Sequence, residues 1–138
     1  MRIRGRIILR NAAIVIGLTF VGGLVLTMIS TLLWKVFPYR TLSYVSELIC
    51  ETLGFLISGY LTSSQRWKYL CLTVIPVWLS DIIRLTLAFP LLTQTMGSES
   101  AFTFVITNGL ITLPHTFILM LVGGGLSVLL VRANSSTS

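Results

Sequence analysis

A chain of 138 residues in which 54% are hydrophobic and only 10% charged, with a mean hydropathy of +0.92, lies far from the composition of soluble domains. That composition excludes an ordinary soluble domain and points to an all-α integral membrane protein. The net charge of +6 would suit nucleic acid, but arginines abutting a long apolar run read better as an insertion signal resting on anionic lipid, so the lipid bilayer is the expected partner and nucleic acid is not.

A bilayer core of about 30 Å takes roughly 20 helical residues per span. The chain therefore has room for little beside its apolar runs, and residues 1–138 are expected to form one four-helix transmembrane bundle. A basic segment, residues 1–10, carries Arg2, Arg4, Arg6 and Arg10 and leads into a first span at about 12–34. Its apolar core exceeds a secretory h-region and has no small-x-small site before the polar "KVFPYR", so it reads as a retained span. Span two runs over about 42–61 and ends at "TSSQRWK". Span three covers about 69–92 and is followed by "TQTMGSES", expected to be a polar loop. Span four covers about 102–131, and residues 132–138, "RANSSTS", read as a flexible tail. The runs lack period-two alternation and are too long for barrel strands.

Basic residues of short loops stay cytoplasmic. Arg2, Arg4, Arg6, Arg10, Arg66, Lys68 and Arg132 fall on one side of this layout, against Lys35 and Arg40 on the other. Both termini are thus expected in the cytoplasm, with the protein in the cell membrane (N-in/C-in).

Charged and polar residues interrupt the later spans at similar depth. Counting 1.5 Å per residue along alternating helices puts Asp81 and Glu51 near the midplane, Arg84 about 4 to 5 Å further out and Glu47 about 6 Å further out. His115 falls within about one turn of the same level. Helical spacing gathers Glu47, Glu51, Gly54, Ser58 and Thr62 on one face of span two, Thr73, Val77, Asp81, Arg84 and Ala88 on one face of span three, and Asn108, Thr112 and His115 on one face of span four. Glu47, Glu51, Asp81, Arg84, Asn108 and His115 form the candidate polar layer. Asp81 and Arg84 can pair within a turn, which leaves the other carboxyls to share Arg84, take up a proton, bind a cation or face water.

Two functions fit this layer. As a packing device it fixes helix register or docks a partner, making the chain a non-enzymatic accessory or structural subunit. Alternatively, its carboxylates carry protons or a cation, as in a small coupled transporter or channel subunit. Four helices enclose little space, so either role favours a homo-oligomer or a larger membrane complex. No HExxH, GxSxG or paired histidine is present, and Cys50 and Cys71 have no ligand-type spacing, so no enzyme activity, cofactor or metal is expected. The two cysteines are also expected to lie too far apart in depth to bridge. Pro76, Pro90 and Pro114 could interrupt their helices, while Ala13 with Gly17, Gly22 with Gly23, and the "VGGGL" of residues 122–126 are expected to allow close helix packing.

Overall fold

The computed structural model describes residues 4–33, 39–62 and 64–136. They form four helices and no strand: α1 (Gly5–Leu33), α2 (Tyr39–Leu61), α3 (Arg66–Met96) and α4 (Ser98–Ser136). Over Gly5–Leu26 of α1, and over α3 and α4, the chain is long and apolar enough to cross a membrane. A helix satisfies all its backbone polar groups internally, so even runs rich in Ile and Val settle as helix in such surroundings. The shorter α2 carries Arg40, Glu47 and Glu51 among several Ser and Thr and falls below that apolarity. Residues 34–38, which include the first four of "KVFPYR", lie outside the described residues.

The polar stretches are more helical than composition suggests. "TQTMGSES" is not a loop: α3 continues through Met96, α4 begins at Ser98, and Gly97 alone makes the turn at φ +83°. Its N–H donates to the Thr93 carbonyl at 3.0 Å, and its own carbonyl accepts from Ala101 N–H at 3.0 Å, so both helix ends are satisfied through one glycine. "RANSS" is likewise the end of α4 rather than a flexible tail, with Ser135 and Ser136 donating back to the Arg132 and Ala133 carbonyls. Nothing in either stretch, apart from Gly97, opposes helix formation. Pro76, Pro90 and Pro114 sit inside unbroken helices.

The helices run alternately up and down. Asn11 meets Thr62 and Gly22 meets Cys50 across α1 and α2, while Trp78 meets Gly109 and Leu70 meets Gly124 across α3 and α4. Around the bundle the order is α1, α2, α4, α3: among the described residues α1 and α4 make no close backbone approach, and α2 meets α3 only sparingly. Close approach comes from particular glycines. A Cβ on Gly123 would stand 2.6 Å from the Thr52 carbonyl oxygen and 2.9 Å from Leu56 N, so α4 rests on the backbone of α2 there. Gly54 packs on Val15, Gly22 on Cys50, and Gly124 on Leu70 and Trp67. By contrast, Gly17 has no neighbour and Ala13 is exposed, so the expected Ala13 and Gly17 contact is not made within the chain.

Packing is uneven along the bundle. Val15, Phe55, Leu70, Val74, Val77, Leu119 and Met120 form one core, entirely in the half that carries Arg4, Arg6, Arg10, Arg66, Lys68 and Arg132. In the half nearer Gly97, only Ala101 and Gly109 are buried among the described residues, and Phe20, Leu24, Leu87, Leu91 and Leu110 are exposed. A second, polar cluster closes the basic end. Asn11, fully buried, donates from Nδ2 to Thr62 Oγ1 at 3.2 Å, and its backbone carbonyl accepts from Ser58 Oγ at 3.4 Å. Arg10 Nη2 reaches Thr62 Oγ1 at 3.2 Å and the Leu61 carbonyl at 3.4 Å.

Candidate functional site

Where the packed half gives way to the open half, α2 and α3 place their charges opposite one another. Arg84 Nη2 donates to Glu47 Oε1 at 3.2 Å and to Asp81 Oδ1, one turn earlier on its own helix. The contact with Asp81 follows from the three-residue spacing, which puts both side chains on one face. The contact with Glu47 spans the α2/α3 diagonal, the pair that otherwise barely meets. The side chains of Arg84 and Glu47 remain 56% and 42% exposed, whereas that of Asp81 is 14% exposed.

Glu51, one turn further along α2, points the other way in energetic terms. It is 4% exposed, and its Oε1 is buried without a hydrogen bond. Thr116 of α4 lies beside this carboxyl, and its hydroxyl, buried and likewise without a hydrogen bond as placed, is the donor within reach of it. A buried polar atom left without a partner costs about 1 to 3 kcal/mol, more if charged, and a small rotation of Thr116 toward Glu51 would relieve both, still leaving the carboxyl with no cation in contact.

Two concavities adjoin the Asp81 and Arg84 pair. One, about 330 Å³, lies among α1, α2 and α3 and has Glu51 on its wall. The other, about 390 Å³, lies among α2, α3 and α4 and is bordered by Glu47, Asp81, Arg84, Ala88, Asn108 and Thr112. Asn108 thus joins the layer through this cleft, although its Nδ2 donates to the Phe104 carbonyl of its own helix at 2.8 Å. His115 stands apart from the ion pair. Its ring faces Tyr44 of α2, centroids 6.2 Å apart at an interplanar angle of 34°, and its Nε2 is buried without a partner. Three of the four acidic residues of the chain, Glu47, Glu51 and Asp81, are therefore gathered around one guanidinium.

Among the described residues no group of three or more His, Cys, Asp or Glu side chains is disposed to hold a metal, and both cysteines are free. Sequence reasoning missed Tyr44 and Thr116, and it left Asn11 just outside span one. Asn11 was the detectable signal, being the amide that opens an otherwise apolar run, while Tyr44 and Thr116 carry none in single-sequence spacing. No protein-family model, curated protein or solved structure matches the chain, so its function is argued from the geometry above.

Proposed function

We propose that the chain is a four-span integral membrane protein of the cell membrane, with both termini cytoplasmic, acting as a non-enzymatic accessory subunit that docks a partner at its polar layer. The observation that carries this reading is the exposure of Arg84 and Glu47, 56% and 42%, midway along an otherwise apolar bundle. A charge at the centre of a span costs roughly 2.5 to 3.5 kcal/mol even on the lenient insertion scale, so such groups are covered by protein or water. The cleft among α2, α3 and α4 offers Glu47, Asp81 and Arg84 at its floor and apolar helix faces around it. With carboxylates outnumbering the guanidinium there, the fitting occupant is a membrane helix that brings a basic or hydrogen-bond-donating side chain. α2 is the fourth span in this reading: Glu51 is enclosed by the neighbouring helices, while Glu47 is paired with Arg84 and covered by the partner.

Native mass measurement on the chain extracted from its own membrane in mild detergent tests the reading. A species larger than the 15.3 kDa chain, lost in Arg84→Ala, is expected. A strictly monomeric species would sink it, and a homo-oligomer would name a second copy as the occupant.

One observation favours a second reading, in which the chain moves protons or a cation: the unpaired Oε1 of buried Glu51. A transport site needs an ionisable group, whereas a packing site accepts a neutral hydrogen-bonding substitute. Ion-dependent flux in proteoliposomes that disappears in folded Glu51→Gln would replace the accessory reading with this one.

A further inference from the structure

The cavity among α1, α2 and α3 has a different character from the docking cleft. Its walls are apolar, from Ile16 and Phe20 of α1 and from Val77 and Ile83 of α3, and its polar end is formed by Glu51 and Asp81. At about 330 Å³ it has the volume of a small-ligand site. Its hydroxyls are spent locally: Thr19 donates to the Val15 carbonyl at 2.9 Å, and Ser80 to the Val77 carbonyl at 2.7 Å. Arg84 also borders it, but its guanidinium is held by Asp81 and Glu47. Asp81 is thereby engaged, and because three carboxyls share this one guanidinium, Glu51, 4% exposed, is left as the wall carboxyl with no cation in contact among the described residues.

We propose that this cavity is a binding site for a small organic ammonium ion, with Glu51 as its counter-charge, Phe20 as an aromatic wall for the cation and Ile16, Val77 and Ile83 enclosing its hydrocarbon part. The chemistry selects this class over the alternatives. A hard inorganic cation wants about six oxygen ligands, and this cavity offers Glu51, the Asp81 carboxyl already held by Arg84 and two hydroxyls among hydrocarbon, with no metal-type cluster among the described residues. A neutral apolar ligand would fill the walls and leave Glu51 as unpaired as before. An anion would meet two carboxyls. An alkyl or aryl ammonium satisfies the carboxyl with its charge and the walls with its substituents, and a ring within about 6 Å adds a cation–π attraction. The site uses residues of one chain and stands independently of the accessory reading.

The test is calorimetric titration of the full chain in phosphatidylglycerol nanodiscs, which present no ammonium headgroup. The probe is benzyltrimethylammonium, compared with its neutral carbon isostere neopentylbenzene. Saturable one-site binding of the cation, at least about tenfold tighter than the isostere, is expected. Glu51→Gln should weaken the cation by a similar factor and leave the isostere unchanged. Ile16→Trp, which adds bulk to the cavity from α1, should abolish binding of both, and retained isostere binding in Glu51→Gln guards against a folding defect in that variant. Equal affinity for cation and isostere, unchanged cation binding in Glu51→Gln and Ile16→Trp, or no saturable binding to the wild type would each overturn the proposal.

Discussion

Arg84 of α3 reaches Glu47 of α2 at 3.2 Å and so ties together two helices that stand diagonally across the bundle and scarcely touch elsewhere. Arg84 also holds Asp81, which makes its two partners unequal in what they lose. Replacing Glu47 by Gln removes one of two acceptors and leaves Arg84 paired. Replacing Arg84 by Gln leaves two carboxyls facing each other, one of them only 14% exposed. Arg84→Gln is therefore expected to be the more destabilising change, costing between the ~1 kcal/mol of exposed pairs and the ~3 to 5 kcal/mol of buried ones. Arg84→Gln/Asp81→Asn should recover part of the loss. Thermal unfolding in detergent measures this, and a Glu47→Gln variant as damaged as Arg84→Gln would refute the asymmetry.

The glycines of "VGGGL" supply a sharper contrast. Gly123 abuts α2 main-chain atoms at 2.6 and 2.9 Å of any added Cβ, and main chain cannot rotate away. Gly125, two residues on, has nothing within 4 Å. Gly123→Ala should push α4 off α2 and cost about 1 to 3 kcal/mol, whereas Gly125→Ala should be neutral or slightly stabilising through its helix propensity. Equal melting temperatures for the two variants would show that α4 does not rest on α2 as described.

Much of this was legible in the sequence, for reasons that also explain what was not. Apolar runs of span length must become helices, and polar punctuation locates them. Counting residues along alternating helices brought Glu47, Asp81 and Arg84 to one level, and the ion pairs between them follow. Glu51 and Asn108 also border the predicted layer, but through separate concavities. His115 shares that level yet turns to Tyr44, because depth says nothing of azimuth. "TQTMGSES" looked like a loop because polarity was taken to mean irregular backbone, while its residues, Gly97 apart, are compatible with helix outside an apolar layer. Single-sequence spacing could not tell that Gly123 packs and Gly17 does not, since each has a small residue one turn away, Ser127 and Ala13, and the choice depends on which helix lies opposite.

The buried Asn11 and Thr62 pair allows a double-mutant test of the basic end. Asn11 Nδ2 donates to Thr62 Oγ1, which also accepts from Arg10. Asn11→Ala and Thr62→Ala remove the same bond from opposite sides. Each is expected to cost up to about 1 to 3 kcal/mol, and the double variant should lose less than the sum by about 0.5 kcal/mol or more. Strict additivity in thermal or denaturant unfolding would mean that the bond contributes nothing.

The proposed orientation of the bundle can be tested from where its charges lie relative to its length. From Asp81 to Gly97 is about 24 Å of helix, beyond the ~15 Å half-thickness of a bilayer core, so the Gly97 turn and Glu99 should stand clear of hydrocarbon on the side opposite the basic cluster. Ser64, exposed in the turn before α3, should lie with that cluster in the cytoplasm. In a Cys50→Ser/Cys71→Ala background, Glu99→Cys is expected to react with a charged, membrane-impermeant maleimide on intact cells. Ser64→Cys should react only after permeabilisation. The reverse pattern would invert the topology, and labelling of both from outside would indicate mixed insertion.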